Sequence, residues 1–247
     1  MWVLANDDGI YAPGLLALRE ACHGLAETVL VAPEGNRSGF SNALSLDKGL
    51  RVDEIGDGRH VVNGTPADCV HLALYGYFEE LPQRVLSGIN AGANLGDDAL
   101  YSGTLAAAME ARHLENTPLS FSVVNWRPRY WPDATRVVRR ILQQVDSLPM
   151  PRGTVLNINI PDLPEQDIRG FQVTRLGRRA PSQPMTRLED PRGRTSYWIG
   201  TFGAPEDAAP GTDFAAIAAG YVSITPVHAD LTNNSALSAL TDWAQQL

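Results

Sequence analysis

Trp2-Val3-Leu4-Ala5-Asn6-Asp7-Asp8-Gly9 opens the chain with four apolar residues followed directly by a pair of carboxylates. A short unbroken apolar run reads as a strand buried on both faces, as in parallel sheets. Open α/β sheets bind ligands just past the carboxyl ends of such strands, which is where Asp7 and Asp8 stand. Two carboxylates about 4 Å apart repel by ~4 kcal/mol at an effective dielectric of about 20. A divalent cation would offset that, and hard oxygen ligands suit Mg²⁺, Mn²⁺ or Ca²⁺. The alternative is that Asn6-Asp7-Asp8-Gly9 is a polar turn and nothing more.

Working outward, strand and helix patterns alternate. Leu15, Leu18, Cys22 and Leu25 mark one helix face, with Pro13 in its first turn. Thr28 to Ala32 is a second strand ended by Pro33, and short extended stretches follow around residues 50–55 and 59–63. Thr65-Pro66-Ala67-Asp68 opens a helix: Thr65 caps, Pro66 suits the first position and Asp68 favours the positive end. Val70, Leu74 and Phe78 form its stripe. Strands are expected over 84–88, 119–124 and 154–160, with a helix over 104–114 and another carrying Val137, Val138, Ile141, Leu142, Val145 and Leu148. This alternation predicts an α/β fold, a Rossmann-like, mainly parallel sheet with helices on both faces.

Beyond Pro161 the texture changes. Residues 161–213 are rich in Pro, Gly and Arg, with strand-like pieces at 171–175 and 195–201 and a turn at Asp190-Pro191-Arg192-Gly193. So long a weakly apolar stretch is unusual inside a compact domain and reads as a protruding hairpin that packs on another subunit. A last strand is expected at 221–225, and Leu237, Leu240 and Trp243 stripe a terminal helix. The expected division is a catalytic core over 1–160 and a C-terminal extension over 161–247, forming one structural unit.

Composition narrows the function. The chain has 247 residues and a formal net charge of -8. That charge fits neither a long nucleic acid nor an anionic membrane. No segment reaches the ~20 apolar residues of a membrane span, and the first apolar run is too short for a signal peptide. Cys22 and Cys69 sit within apolar helical patterns and read as buried, reduced thiols of a cytoplasmic protein. The five histidines show no zinc spacing, and neither cysteine sits next to a credible base, so covalent cysteine chemistry is not expected. His113, late in its expected helix, suits the helix dipole.

Three polar loops follow three of the strands. The first supplies Asp7 and Asp8, the second Asn36-Arg37-Ser38-Gly39, and the third runs from Ser87 to Gly96. Ser38 offers a hydroxyl and Asn90 an amide oxygen, both suited to a hard cation, though each beside Gly also makes an ordinary turn. Ser102-Gly103-Thr104 begins a helix, where free amides and two hydroxyls suit a phosphate; simple capping uses the same physics. Asp97 and Asp98 read as a solvated turn. The glycine spacing matches neither a dinucleotide fingerprint nor a Walker loop.

Together, Asn6-Asp7-Asp8-Gly9, Asn36-Arg37-Ser38-Gly39, Gly64-Thr65-Pro66, Ser87-Gly88-Ile89-Asn90-Ala91-Gly92, Asn94-Leu95-Gly96 and Tyr101-Ser102-Gly103-Thr104 resemble the SurE (survival protein E) family. Asn157 to Pro161, Gly211-Thr212-Asp213 and Gly220 to Pro226 extend the likeness over nearly the whole chain. The resemblance implies a divalent-metal-dependent phosphatase of nucleoside 5′- and 3′-monophosphates, acting in some members on short polyphosphate, in dimers or tetramers that exchange C-terminal elements. It carries the metal ligands onto Asp7, Asp8, Ser38 and Asn90, one cation per subunit, and phosphate handling onto Asn94, Ser102 and Thr104. Ala93 stands where the family often has proline. Phe40 and Tyr101, in loops next to the proposed ligands, are candidate neighbours for the base. The rival readings are a non-catalytic nucleotide-sensing module and a zinc deacetylase, the latter weakened by the missing histidines.

Overall fold

The computed structural model describes residues 1–147 and 149–247. β1 (Trp2–Ala5) pairs in parallel with β2 (Thr28–Pro33) on one side and β5 (Arg84–Ala91) on the other. Outside β2 lie β4 (Arg59–Val62), parallel, and β3 (Val52–Glu54), antiparallel, at the edge. Outside β5 come β6 (Leu119–Val123) and β7 (Val155–Ile160), both parallel. β13 (Val222–Val227) then runs antiparallel to β7, and β8 (Phe171–Val173) closes this edge parallel to β13. The nine strands stand in the order β3-β4-β2-β1-β5-β6-β7-β13-β8.

Both faces of the sheet are covered, which is why β1 at its centre is apolar and buried throughout. Leu4, Leu30, Leu86 and Ile158 point to one side, where α1 (Pro13–Cys22) and α4 (Trp131–Leu142) bury Leu15, Leu18, Cys22, Val137, Val138 and Leu142. Val3, Ala5, Val31 and Val85 point to the other, against α2 (Pro66–Leu74) and α3 (Gly103–Glu110). The period of two along each strand thus feeds two separate cores.

Five elements differ from expectation. α1 ends at Cys22 and α2 at Leu74, so Leu25 and Phe78 lie beyond the helices whose stripes they were expected to extend. β5 runs on to Ala91, so Asn90 lies on the strand rather than in the loop after it. α3 stops at Glu110, four residues early: amides of Ala111 and Arg112 bond three residues back, and the Arg112 guanidinium takes the Met109 carbonyl at 3.0 Å. These bonds satisfy the carbonyls that continued helix would have used, and they leave His113 in a turn beyond the helix. α4 ends at Leu142, Val145 falls in a separate 3₁₀ turn, and the expected Leu148 lies outside the described residues.

The C-terminal part joins the main sheet through β8 and β13 and adds two small ladders. β9 (Arg178–Arg179) pairs with β12 (Pro205–Asp207), and β10 (Thr186–Glu189) pairs with β11 (Thr195–Trp198), all antiparallel. The β10–β11 turn closes as its residues require: the Gly193 amide donates to the Asp190 carbonyl and the Arg192 amide to the Asp190 carboxylate. α5 (Asp213–Ala218) precedes β13, and α6 (Leu237–Ala244) ends the fold. Among the described residues no helix is long and apolar enough to cross a membrane.

Candidate active site

The carboxyl ends of β1, β2 and β5 meet at one edge of the sheet, and their loops are bonded to one another. The Arg37 amide donates to the Asp7 carbonyl at 2.7 Å, joining the second loop to the first. The Ala91 amide donates to Asp8 Oδ2 at 3.3 Å, joining the third. The Asn36 amide nitrogen reaches Asp8 Oδ1 at 3.4 Å, while its oxygen accepts from the Ser38 amide at 2.9 Å. Asn90 donates its side-chain N–H to the Gly92 carbonyl at 3.0 Å, which leaves its amide oxygen as the open acceptor.

Asp7 is buried, and the start of α3 presses on it. Thr104 Oγ1, fully buried, donates to Asp7 Oδ1 at 2.6 Å. A Cβ on Gly103 would stand 2.8 Å from the Asp7 Cβ, so only glycine lets the helix come this close. Burial pushes the Asp7 carboxyl up to about 6; the Thr104 hydroxyl opposes the rise and the neighbouring Asp8 charge adds to it. Burial raises Asp8 as well, against the Ala91 hydrogen bond. Ser102 Oγ accepts from the Leu105 amide at 2.9 Å and so caps α3.

A cavity of about 650 Å³ opens over this edge. Asp7, Ser38, Asn90, Asn94 and Ser102 lie on its wall, together with Asp98, Tyr101, Trp126, Arg179 and residues 199–202. Thr104 and Asp8 stand behind that lining, each bonded to the site by the contacts above. Phe40, a candidate for the base, is not on the wall; its ring instead takes the Arg37 guanidinium, 5.7 Å away. Tyr101 is on it, stacked with Phe202 at 6.2 Å.

The chemistry of the donor set suits a divalent cation. Among the described residues no cluster of three or more His, Cys, Asp or Glu side chains occurs. A cation at this edge would therefore have two carboxylates, with a hydroxyl and an amide oxygen completing an all-oxygen set, which fits a hard ion. The raised carboxyl of Asp7 beside Asp8 is what an acidic pair shows when burial leaves its charge uncompensated.

Several residues of the site carry no role in the sequence reading. Asp97 and Asp98 are not a solvated turn: Asp98 is buried and bonded to Arg179 at 2.6 Å, and Asp97 accepts the Arg179 amide at 2.8 Å. Asn157 and Asn159, on β7, donate to the Asn94 carbonyl at 2.8 and 3.0 Å, and Asn159 accepts the Asn94 amide at 2.9 Å. The Asn94 side chain donates to Ser122 Oγ at 2.7 Å. Asp213 accepts from Gly96 at 2.7 Å and Gly177 at 2.9 Å. Two asparagines alternating with isoleucines in a buried strand were the available signal, since buried amides need partners. The roots of the hairpin also differ from expectation: residues 199–202 cover the cavity of their own chain, while the exposed part is β10 and β11.

Comparison with known proteins decides the family. The family model described as "Survival protein SurE" matches residues 2–183. The chain belongs to the SurE family. A protein of Alkalilimnicola ehrlichii named 5′-nucleotidase SurE is 52% identical over 245 residues, covering 99% of this chain and 95% of that protein. One of the same name from Halorhodospira halophila is 49% identical over 98% of this chain and 96% of its own length. The crystal structure of the SurE protein from Aquifex aeolicus superimposes with a TM-score of 0.86 at 40% identity, covering 98% of this chain and 99% of that one.

Proposed function

We propose that the chain hydrolyses nucleoside 5′- and 3′-monophosphates to nucleoside and inorganic phosphate with the help of one divalent cation, and acts on the terminal phosphate of short polyphosphate at the same site. The observation that carries this reading is the meeting of Asp7, Ser38 and Asn90 with the N-terminus of α3 at one cavity, with Asp8 next to Asp7 and bonded to the Ala91 amide. The names of the SurE relatives point the same way.

Asp7, Asp8, Ser38 and Asn90 would hold the ion. When bound, it supplies Lewis-acid polarisation of a phosphoryl oxygen. Asn94 and Ser102 line the cavity where charge builds on the phosphoryl group, and the start of α3 adds its positive end. Asn157 and Asn159 hold the Asn94 backbone in place. Thr104 acts one step back, orienting Asp7 through its hydroxyl. Asp7 or Asp8 accepts the proton of the attacking water. The alternative of direct attack by an aspartate, familiar in haloacid-dehalogenase phosphatases, uses two acids separated by one residue; here they are adjacent.

The core over 1–160 carries every one of these side chains. We further assign the chain to the cytoplasm, on its two buried free thiols, and to a homodimer or homotetramer. A phosphate-release assay over nucleoside monophosphates and metals tests the reading. EDTA should abolish release, Mn²⁺ or Mg²⁺ should restore it, and Asp8→Asn should cripple turnover with the fold intact. Nucleotide binding without release of phosphate would instead make the chain a sensing module. Full activity of Asp8→Asn in metal-free buffer would remove the metal site.

A further inference from the structure

Arg179 has no part in the chemistry above, yet all three of its guanidinium nitrogens are engaged at the cavity wall. Nε donates to both Asp98 oxygens, at 2.8 and 2.9 Å, and Nη2 donates to Asp98 Oδ2 at 2.6 Å. Nη1 donates to the Gly203 carbonyl at 3.1 Å. The guanidinium also lies over two rings, 4.9 Å from Phe214 and 5.9 Å from Phe202. Forked, charge-assisted pairing of this kind fixes geometry as well as charge, and lysine does not reproduce it.

The pair joins two segments with different tasks. Asp98 belongs to the 3₁₀ turn Gly96–Leu100, which leads straight into Tyr101 and the Ser102 cap. Arg179 starts the arm that returns as residues 199–204. The two strands of that arm are tied by the Ala180 amide on the Ala204 carbonyl and the Gln183 amide on the Thr201 carbonyl, both 2.9 Å. They run so close that a Cβ on Gly203 would collide with the Ala180 carbonyl. Where Arg179 stands therefore sets where Phe202 stands. Phe202 and Tyr101 stack at the cavity rim, with 49% and 56% of their surface exposed. The polar floor suits a phosphate; the aromatic rim, beyond it, suits a flat ring.

We propose that Arg179 is a positioning residue for substrate selection: gripped by Asp98, it holds residues 199–202 across the cavity so that Phe202, stacked on Tyr101, offers an aromatic face to the base of a nucleoside monophosphate. This inference rests on the nucleotidase reading. Stacking on an aromatic face is sequence-tolerant, because every base has one, so the rim would favour nucleotides as a class over phosphates that lack a base.

The test compares adenosine 5′-monophosphate with ribose 5-phosphate, which carries an anomeric hydroxyl in place of the base. Wild type, Arg179→Gln, Arg179→Lys and Phe202→Ala are assayed with Mn²⁺, and binding of adenosine 5′-monophosphate is measured by calorimetry in EDTA. Arg179→Gln and Phe202→Ala should each raise KM for the nucleotide about tenfold, leave kcat within about twofold, and leave ribose 5-phosphate nearly unchanged, as loss of one stacking contact predicts. Calorimetry should show the same weakening, with Arg179→Lys close to Arg179→Gln. Should Arg179→Gln melt below the assay temperature, Phe202→Ala, on an exposed ring, decides alone. Parallel losses on both substrates, or no loss on either, would overturn the inference, as would a wild type that treats the two substrates alike. Wild type that releases no phosphate from any nucleotide would instead overturn the nucleotidase reading beneath it.

Discussion

Asp7 holds a carboxylate where burial and a neighbouring acid both oppose its charge, and this sets a stability–function conflict in one residue. Its carboxyl is raised from 3.8 to about 6. Below 3.8 it is protonated whether folded or not, and it costs nothing. As pH rises from 3.8 to about 6, the unfolded chain gives up its proton first, so stability falls; above that window the whole penalty stands. A shift of this size corresponds to roughly 3 kcal/mol. Asp7→Asn should therefore melt above the parent at pH 7.5 in EDTA, with the advantage gone near pH 4, while phosphate release is lost. Equal melting temperatures at pH 7.5 would contradict the cost assigned to this charge. Ser102 and Thr104, two residues apart, separate in the same way. Ser102 caps α3, so Ser102→Ala should cost ~1 kcal/mol of stability. Thr104 orients Asp7, so Thr104→Ala should lower turnover by about 10- to 100-fold, the scale of a lost supporting bond behind a metal-site carboxylate, with a smaller change in melting. Unaltered kinetics in Ser102→Ala would reduce that residue to a cap.

At the scale of the element, α2 shows both what was readable and what was not. Thr65-Pro66-Ala67-Asp68 announces a capped helix, and the reciprocal bonds are present: the Asp68 amide to Thr65 Oγ1 at 3.0 Å and the Thr65 amide to Asp68 Oδ2 at 2.8 Å. The Ser45 bonds to the same carboxylate, at 2.9 and 2.8 Å, come from 23 residues away and left no local mark. Burial works to raise the Asp68 carboxyl, but the bonds from Thr65 and Ser45 outweigh it and hold it below 3.8. The stability it contributes is thus present above the unfolded value and lost as pH falls through the lower folded one. Asp68→Asn should cost about 1–3 kcal/mol at pH 7, lose that effect in strong acid, and leave kcat unchanged; a denaturant series at two pH values checks it. The same contrast runs through the site. Strands and the polar residues at their ends follow from local periodicity and turn chemistry, so Asp7, Ser38 and Asn90 were legible as oxygen-bearing side chains beside one sheet edge. Asp98 finds Arg179, Asn159 finds Asn94 and Asp213 finds Gly96 only after the chain has folded, so these pairings were not. The end of α3 was missed because i→i−3 bonds and the Arg112 side chain stop it where the apolar pattern alone would continue.

The whole molecule presents apolar surface that its own core does not cover. Leu237, Leu240 and Trp243, the stripe of α6, are 50%, 55% and 57% exposed. Leu188, Tyr197 and Trp198 on the β10–β11 hairpin are exposed as well. Large exposed apolar patches mark interaction surfaces in soluble proteins, and a closed symmetric oligomer of identical chains covers them without a further partner. The hairpin root is committed to the cavity of its own chain through Arg179, so its exposed strands are what remains for a second copy. Light scattering of the full-length protein at micromolar concentration should give at least twice the monomer mass. Deleting residues from Ser235 onward removes the terminal stripe and leaves whatever it covers exposed, so the truncated chain should shift toward monomer or aggregate. Because the cavity, the three polar loops and α3 all lie upstream of that cut, the monomer that remains should still release phosphate with Mn²⁺. A full-length protein of monomer mass would rule out the assembly, while a truncated monomer without any activity would show that the site depends on it.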